Sequence, residues 1–203
     1  MAPSSTLYVL FVRLLSLSYP AFPIHRRVCF SLFLFFAMVL VAESAVITFA
    51  GKAGDRSLDT AWRNGALLNS TLRTLKPGDE LIFPQNTTFY LMGGIMASNL
   101  RNNVLHFEGT LVFVAHLDSW PRLADGSVLE CMHFENIDNV TFTSAAGGVI
   151  DGSGEAWWGI IKYLEIQENR PRLLSIGNSR NLLVENILFR QSPRLDLSFG
   201  STN

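Results

Sequence analysis

Short apolar runs closed by turn formers dominate the second half of the chain. Between Gly147 and Pro193 they are Val149-Ile150, Leu173-Leu174-Ser175-Ile176, Leu182-Leu183-Val184 and Ile187-Leu188-Phe189, each closed within a few residues by Gly, Asn, Ser or Pro. Runs of this kind between turn residues read as strands. Few of them are separated by the two-residue loops of tight hairpins, so the pattern does not favour a meander. Strands at loose intervals, with Asn ahead of several, read as successive coils of an all-β, right-handed parallel β-helix, a solenoid.

The first half fits the same reading. Val46-Ile47-Thr48-Phe49 predicts a strand, and Ala50 to Asp55 a glycine-punctuated loop. Leu58, Ala61, Gly65, Leu68, Leu72 and Leu75 step by 3, 4, 3, 4 and 3 residues, the spacing of one apolar helix face. Asp59 is read as the N-cap of that helix, and Lys76-Pro77-Gly78-Asp79 ends it. A helix placed there covers the apolar cross-section of the first coil, as terminal caps do in repeat proteins. Strands are expected at Glu80 to Phe83, Thr88 to Leu91, Val104 to Phe107 and Thr110 to Val114, with a polar turn at Leu100 to Asn103. Phe134 to Phe142 begins the next coil. Asn-apolar starts recur at Asn103-Val104, Asn139-Val140 and Asn181-Leu182, at intervals of 36 and 42 residues. Tight coils repeat every ~20 residues, so these intervals contain loops. The largest runs from Glu155 to Pro171, where Gly159 to Gln167 is a short helix or an excursion from the coil.

The N-terminus changes the picture. After Arg26 and Arg27 come fifteen residues without a charge, Val28 to Ala42. That is the length of a signal-peptide core and short of a membrane span of about 20 residues. Ala42 and Ser44 place cleavage after Ser44. The long segment before it has its own apolar run, Leu7 to Leu17, broken by Arg13, which leaves a signal anchor as the second reading. Residues 1–44 are thus a leader and signal peptide, or an anchor, and residues 45–203 the β domain, secreted or membrane-held accordingly. Without the leader the chain has 13 basic and 16 acidic residues, a formal charge of −3, and no basic stripe, so nucleic acid is excluded as a partner. Cys29 leaves with the leader. For Cys131 a buried thiol and a thiol whose partner lies outside this chain are comparable readings. The sequons Asn69-Ser70-Thr71, Asn86-Thr87-Thr88 and Asn139-Val140-Thr141 suit a secreted chain. Asn139 reads equally as a turn residue facing the inside of a coil, where a glycan cannot sit.

Three pieces, in order, carry a family likeness: Gly148-Val149-Ile150-Asp151-Gly152-Ser153-Gly154 with Trp157-Trp158, then Arg170-Pro171-Arg172-Leu173-Leu174, then Ser179-Arg180-Asn181-Leu182 running to Gln191-Ser192-Pro193. This stretch resembles the polygalacturonases, glycoside hydrolases of family 28. Gly54-Asp55 through Asp59-Thr60-Ala61, Phe83-Pro84, Tyr90-Leu91, Glu108-Gly109-Thr110-Leu111 and Trp120-Pro121 extend it to roughly residues 46–197. The resemblance implies the N-terminal part of a secreted enzyme that hydrolyses α-1,4-galacturonosyl bonds of pectin-like polyuronides by inversion. It implies no cofactor, and a monomer when complete.

Such hydrolysis needs carboxylates on opposite sides of the glycosidic bond. The family places them in Asn-Thr-Asp and Asp-Asp motifs, with a Gly-His-Gly histidine and an Arg-Ile-Lys pair. None of the four occurs in this chain. In the family they follow the Ser-Pro that matches Ser192-Pro193, and the sequence ends ten residues later. No catalytic residue carries over, and the stack reads as truncated at its C-terminal end, inactive and prone to aggregate.

The remaining candidates have bland readings beside the sharp ones. Asp151, before Gly152, is a turn residue bonding its own backbone. Trp157 and Trp158 either stack on sugar rings as substrate-binding residues or pack a loop onto the coil. Asp196 alternates with leucines where the family often has an aromatic residue. His106, His116 and His133 have no ligand spacing, so no metal site is expected. Two other functions stay open: a non-catalytic polysaccharide-binding β-helix, and a structural surface protein held by an uncleaved anchor.

Overall fold

The computed structural model describes residues 44–158, 169–194 and, in backbone only, 198–199. The expected leader, the excursion at Gly159 to Gln167 and Asp196 lie outside the described residues. No described helix is long and apolar enough to cross a membrane.

The chain runs through β1 (Val46–Thr48), α1 (Leu58–Thr74), β2 (Glu80–Phe83), β3 (Thr88–Leu91), β4 (Ile95–Ser98), β5 (Val104–Phe107), β6 (Thr110–Phe113), β7 (Met132–Glu135), β8 (Asp138–Thr143), β9 (Val149–Asp151), β10 (Leu174–Gly177), β11 (Arg180–Val184), β12 (Leu188–Arg190) and β13 (Ser198–Phe199). Three sheets form, ordered β1-β2-β5-β8-β11, β3-β6-β9-β12 and β4-β7-β10-β13, and their strand pairs are parallel. The chain therefore visits the three sheets in turn, and β2–β4, β5–β7, β8–β10 and β11–β13 make four successive coils.

Alternation along each short strand explains why the coils stack. In β2, β3, β5 and β6 every second residue is buried. In register these inward positions become columns: Leu81, Leu105 and Phe142 in the first sheet, Phe89, Leu111 and Ile150 in the second, Ala97, Phe134 and Ile176 in the third. All nine side chains are buried, each apolar one of Leu or Phe size contributing about 1.5–3 kcal/mol of transfer free energy. Phe83 stacks on Phe107 at 5.0 Å and 11°, and Phe142 meets Phe107 edge-on at 5.9 Å. The coils approach so closely that a Cβ at Gly148 would stand 1.6 Å from the Phe107 carbonyl oxygen.

Asparagine builds the corner between the third and first sheets. Asn99, Asn136 and Asn178 leave β4, β7 and β10, and Asn102, Asn139 and Asn181 follow three residues later, all with φ between 46° and 62°. L-residues rarely enter this left-handed region, and asparagine is enriched there. The Asn136 amide donates to Asn99 Oδ1, and Asn139 Nδ2 donates to Asn102 Oδ1 at 2.8 Å. The column thus begins at Asn102, one residue before the expected start. Asn103 is buried instead: its Oδ1 accepts from Arg101 N, and its Nδ2 donates to Lys76 O and Asp79 O. Leu100 is also buried, so the expected polar turn is half core. Asn139 is an exposed corner residue rather than one facing inward. The stretch from Phe134 to Phe142 is two strands bent at Asn136, and β4 had no counterpart among the expected strands.

Helix α1 covers the first coil. Ala61, Gly65, Leu68 and Leu72 are buried as the spacing predicts, together with Thr60 and Asn64. The N-cap is Ser57, not Asp59. Ser57 is extended, and its Oγ accepts from Thr60 N at 3.3 Å, whereas Asp59 lies in the first turn and pairs with Arg63. The edges of β3 and β4 would otherwise have unpaired backbone groups. Two helix asparagines stand in for a strand there. Asn64 Nδ2 donates to Tyr90 O at 3.0 Å and to Lys52 O, while its Oδ1 accepts from Lys52 N. Asn69 Nδ2 donates to Gly94 O at 2.9 Å, and its Oδ1 accepts from Met96 N at 2.7 Å.

Candidate functional site

The outward face of the third sheet gathers one set of polar side chains. Met96, His133 and Ser175 are in register across β4, β7 and β10, and Ser98, Glu135 and Gly177 form the next column. His133 Nδ1 lies 3.3 Å from Ser175 Oγ, and its Nε2 lies 3.6 Å from Glu135 Oε2. Glu135 folds back over Gly177, where a Cβ would stand 2.1 Å from Oε2, and Asn178 Nδ2 donates to its other oxygen. The face carries an imidazole, serine hydroxyls and one anchored carboxylate.

The segments joining the second sheet to the third border this face. Residues 114–131 and 152–173 are the long ones, with the short 3₁₀ turns Leu117–Ser119 and Gly154–Ala156. Successive levels are tied together: Val128 N donates to Asn169 Oδ1, Cys131 N to Arg172 O, and Arg172 Nη1 to Glu130 Oε1 at 2.8 Å. Trp120 and Trp157 meet edge-on at 5.1 Å, both buried. Trp157 is therefore a packing residue, and its buried Nε1 has no partner among the described residues. Trp158 is different. It is 43% exposed, lies against Gly154, and donates from Nε1 to Ser192 O and Pro193 O at 3.1 and 3.2 Å. Its ring is held in place and partly open to solvent.

The other sequence candidates have structural places. Asp151 accepts from Ser153 N at 2.8 Å, the expected turn, and also from Arg190 Nε at 2.8 Å. Cys131 is buried, and burial with the neighbouring Glu130 charge pushes its thiol well above the ordinary range. Asn86 is exposed at the β2–β3 turn. Among the described residues no group of three or more His, Cys, Asp and Glu side chains is placed to hold a metal.

Sequence reasoning missed the histidine clusters, because one partner of each is distant in the chain: Glu80 for His106 and Ser175 for His133. His106 Nε2 is 3.0 Å from Glu80 Oε2 and its Nδ1 3.9 Å from Glu108 Oε1. A signal for His133 and Ser175 was present: each stands three residues before a left-handed corner asparagine, Asn136 or Asn178.

A general acid for glycoside cleavage is a carboxyl held above its ordinary pKa. Asp55, Asp79, Glu108 and Asp125 are held the other way. The Lys52 ammonium and then the Ser57 amide hold Asp55 down, the Ala45 and Lys76 amides hold Asp79 down, and Ser127 does so for Asp125. Burial pushes Glu108 up, but the Ala145 and Ala146 amides and the Ser144 hydroxyl together outweigh it. These carboxylates are hydrogen-bond acceptors of the fold rather than proton donors.

The model for glycosyl hydrolases family 28 matches residues 81–203. Among curated relatives, a probable endo-xylogalacturonan hydrolase A of Aspergillus niger is 29% identical over 154 residues, covering 74% of this chain and 35% of the relative. An exopolygalacturonase of Cochliobolus carbonum is 24% identical over 132 residues, covering 64% and 29%. A polygalacturonase of Persea americana is 26% identical over 162 residues, covering 73% and 31%. The chain spans about a third of the length of these relatives.

Proposed function

The chain belongs to glycosyl hydrolases family 28, and on that premise we propose that it supplies the first coils of a secreted hydrolase acting on α-1,4-linked galacturonan, with inversion. In this reading the outward face of the third sheet and the exposed ring of Trp158 contact the polyuronide. On this reading the acid and base that cleave it are not among these 203 residues, which hold neither an Asn-Thr-Asp nor an Asp-Asp motif. The winding is right-handed, as crossovers between parallel strands are in about 98% of cases. The observation that carries the reading is the family match, which begins inside β2 and runs through all four coils.

The test is to incubate the secreted chain with polygalacturonate and with xylogalacturonan, following new reducing ends and retention on immobilised polygalacturonate. Retention without new reducing ends is expected, lost on Trp158→Ala. Release of reducing ends would overturn the assignment of the catalytic groups. Absence of retention would overturn the contact surface.

A further inference from the structure

The three sequons have unlike surroundings, and the difference sorts them. At Asn69 both atoms of the side-chain amide are committed, Nδ2 to Gly94 O and Oδ1 to Met96 N, and the residue is half-buried between α1 and the edge of β4. A sugar on Nδ2 would wedge the helix off the strand it covers. At Asn139 the side chain is a member of a column, donating to Asn102 Oδ1 at 2.8 Å, with the next coil paired on either side of it at Asp138 and Val140. Adjacent levels of such a stack are about 4.8 Å apart, too close for a sugar ring between them.

Asn86 has neither constraint. It is exposed, in the left-handed conformation at φ 59°, at the turn joining β2 to β3, and its side chain has no hydrogen-bond partner among the described residues. Thr88, the third residue of the triplet, opens β3 on the outward side in register with Thr110. The turn is held from beneath by Thr87 Oγ1, which donates to Pro84 O, and by Thr110 N, which donates to Thr87 O. It also belongs to the corner between the first and second sheets, the one corner that does not border the third sheet.

We propose that Asn86 is an N-glycosylation acceptor of this chain, while Asn69 and Asn139 remain unmodified as parts of the fold. The donor class is an oligosaccharide linked through N-acetylglucosamine to a lipid diphosphate. Asn86 Nδ2 forms the bond to the anomeric carbon, the bond from that carbon to the diphosphate oxygen breaks, and the diphosphate leaves with the electron pair. Nδ2 gives up one proton to base and keeps the other, with no change of oxidation state. A glycan there leaves the third-sheet face open to polysaccharide. The proposal rests on the secretory reading of the leader.

The full chain, expressed in eukaryotic cells, is digested with peptide N-glycosidase in heavy-oxygen water, which converts each glycosylated Asn to a labelled Asp for peptide mapping. Label at position 86 alone is expected, with one mobility step lost on digestion and missing in Asn86→Gly, a variant that keeps the left-handed turn. Label at position 69 or 139, or a step that persists in Asn86→Gly, would overturn the proposal. Protease treatment of intact membranes separates the two ways of finding no label. A protected, unmodified chain overturns the assignment of Asn86 alone; an unprotected chain overturns the secretory reading and the proposal with it.

Discussion

The first coil and the fourth are built from the same kind of strand and differ in what covers them. In β2 and β3 the inward residues Leu81, Phe83, Phe89 and Leu91 are at most 2% exposed, with α1 and β1 on one side and the second coil on the other. In β11 and β12 the inward residues Leu182, Val184 and Phe189 are only half-buried, and their outward neighbours Leu183 and Leu188 are 47% and 55% exposed. Alternation along a strand therefore decides which way a side chain points. Burial is decided by the neighbouring level. At the first coil a helix performs the task that another coil performs inside the stack, and it does so with asparagine amides in place of strand backbone.

The sharpest way to break this contrast is to remove a side chain enclosed on both sides. Phe107→Ala takes away the ring between Phe83 and Phe142 and should cost about 3–5 kcal/mol, read as a lowered urea midpoint. Next comes the covering device itself. Asn64→Ala leaves Tyr90 O and both backbone groups of Lys52 without their partner, at a cost of about 1–3 kcal/mol, whereas a helix held only by its leucines would show almost none. The corners follow. Asn136→Ala should cost about 1–2 kcal/mol for a left-handed L-residue, and Asn136→Gly should recover most of that in the same titration.

Acid sharpens the contrast by acting on groups that tie levels together. Asp79 holds the Ala45 amide and Glu108 holds the Ala145 and Ala146 amides, and both carboxyls lie below their ordinary pKa in the folded chain. Their contribution is complete above the unfolded value, near 4, and is lost as pH falls through the lower folded values. Unfolding midpoints should be level above about pH 5 and fall below 4, with a shallower fall in Asp79→Asn and Glu108→Gln. The smallest effect belongs to the fourth coil, where Leu183→Ala should change stability by no more than about 0.5 kcal/mol.

Most strands were legible because their apolar runs are short and end at Gly, Asn or Pro. β4 escaped because Met96, Ala97 and Ser98 give it little β-branched or aromatic character, and its identity comes from pairing with β7. The helix was legible from its leucine spacing, while the bonds of its buried Asn64 and half-buried Asn69 were not, since their partners on the strand edges are not neighbours in sequence. For the same reason His106 and His133 showed no spacing to a partner. A parallel stack couples residues through register, and register is visible only once the corner asparagines are aligned. Trp157 and Trp158 could not be told apart by type, being adjacent residues that face opposite environments.

The corner between the second and third sheets has one further property. It absorbs the whole difference between a three-residue link at residues 92–94 and the long segments at 114–131 and 152–173, while β7 stays paired in register with β4, and β10 with β7. Length at that corner is thus mechanically uncoupled from the spool it hangs on. Loops could be exchanged there, or foreign peptides displayed in several tiers, without rewinding the strands beneath.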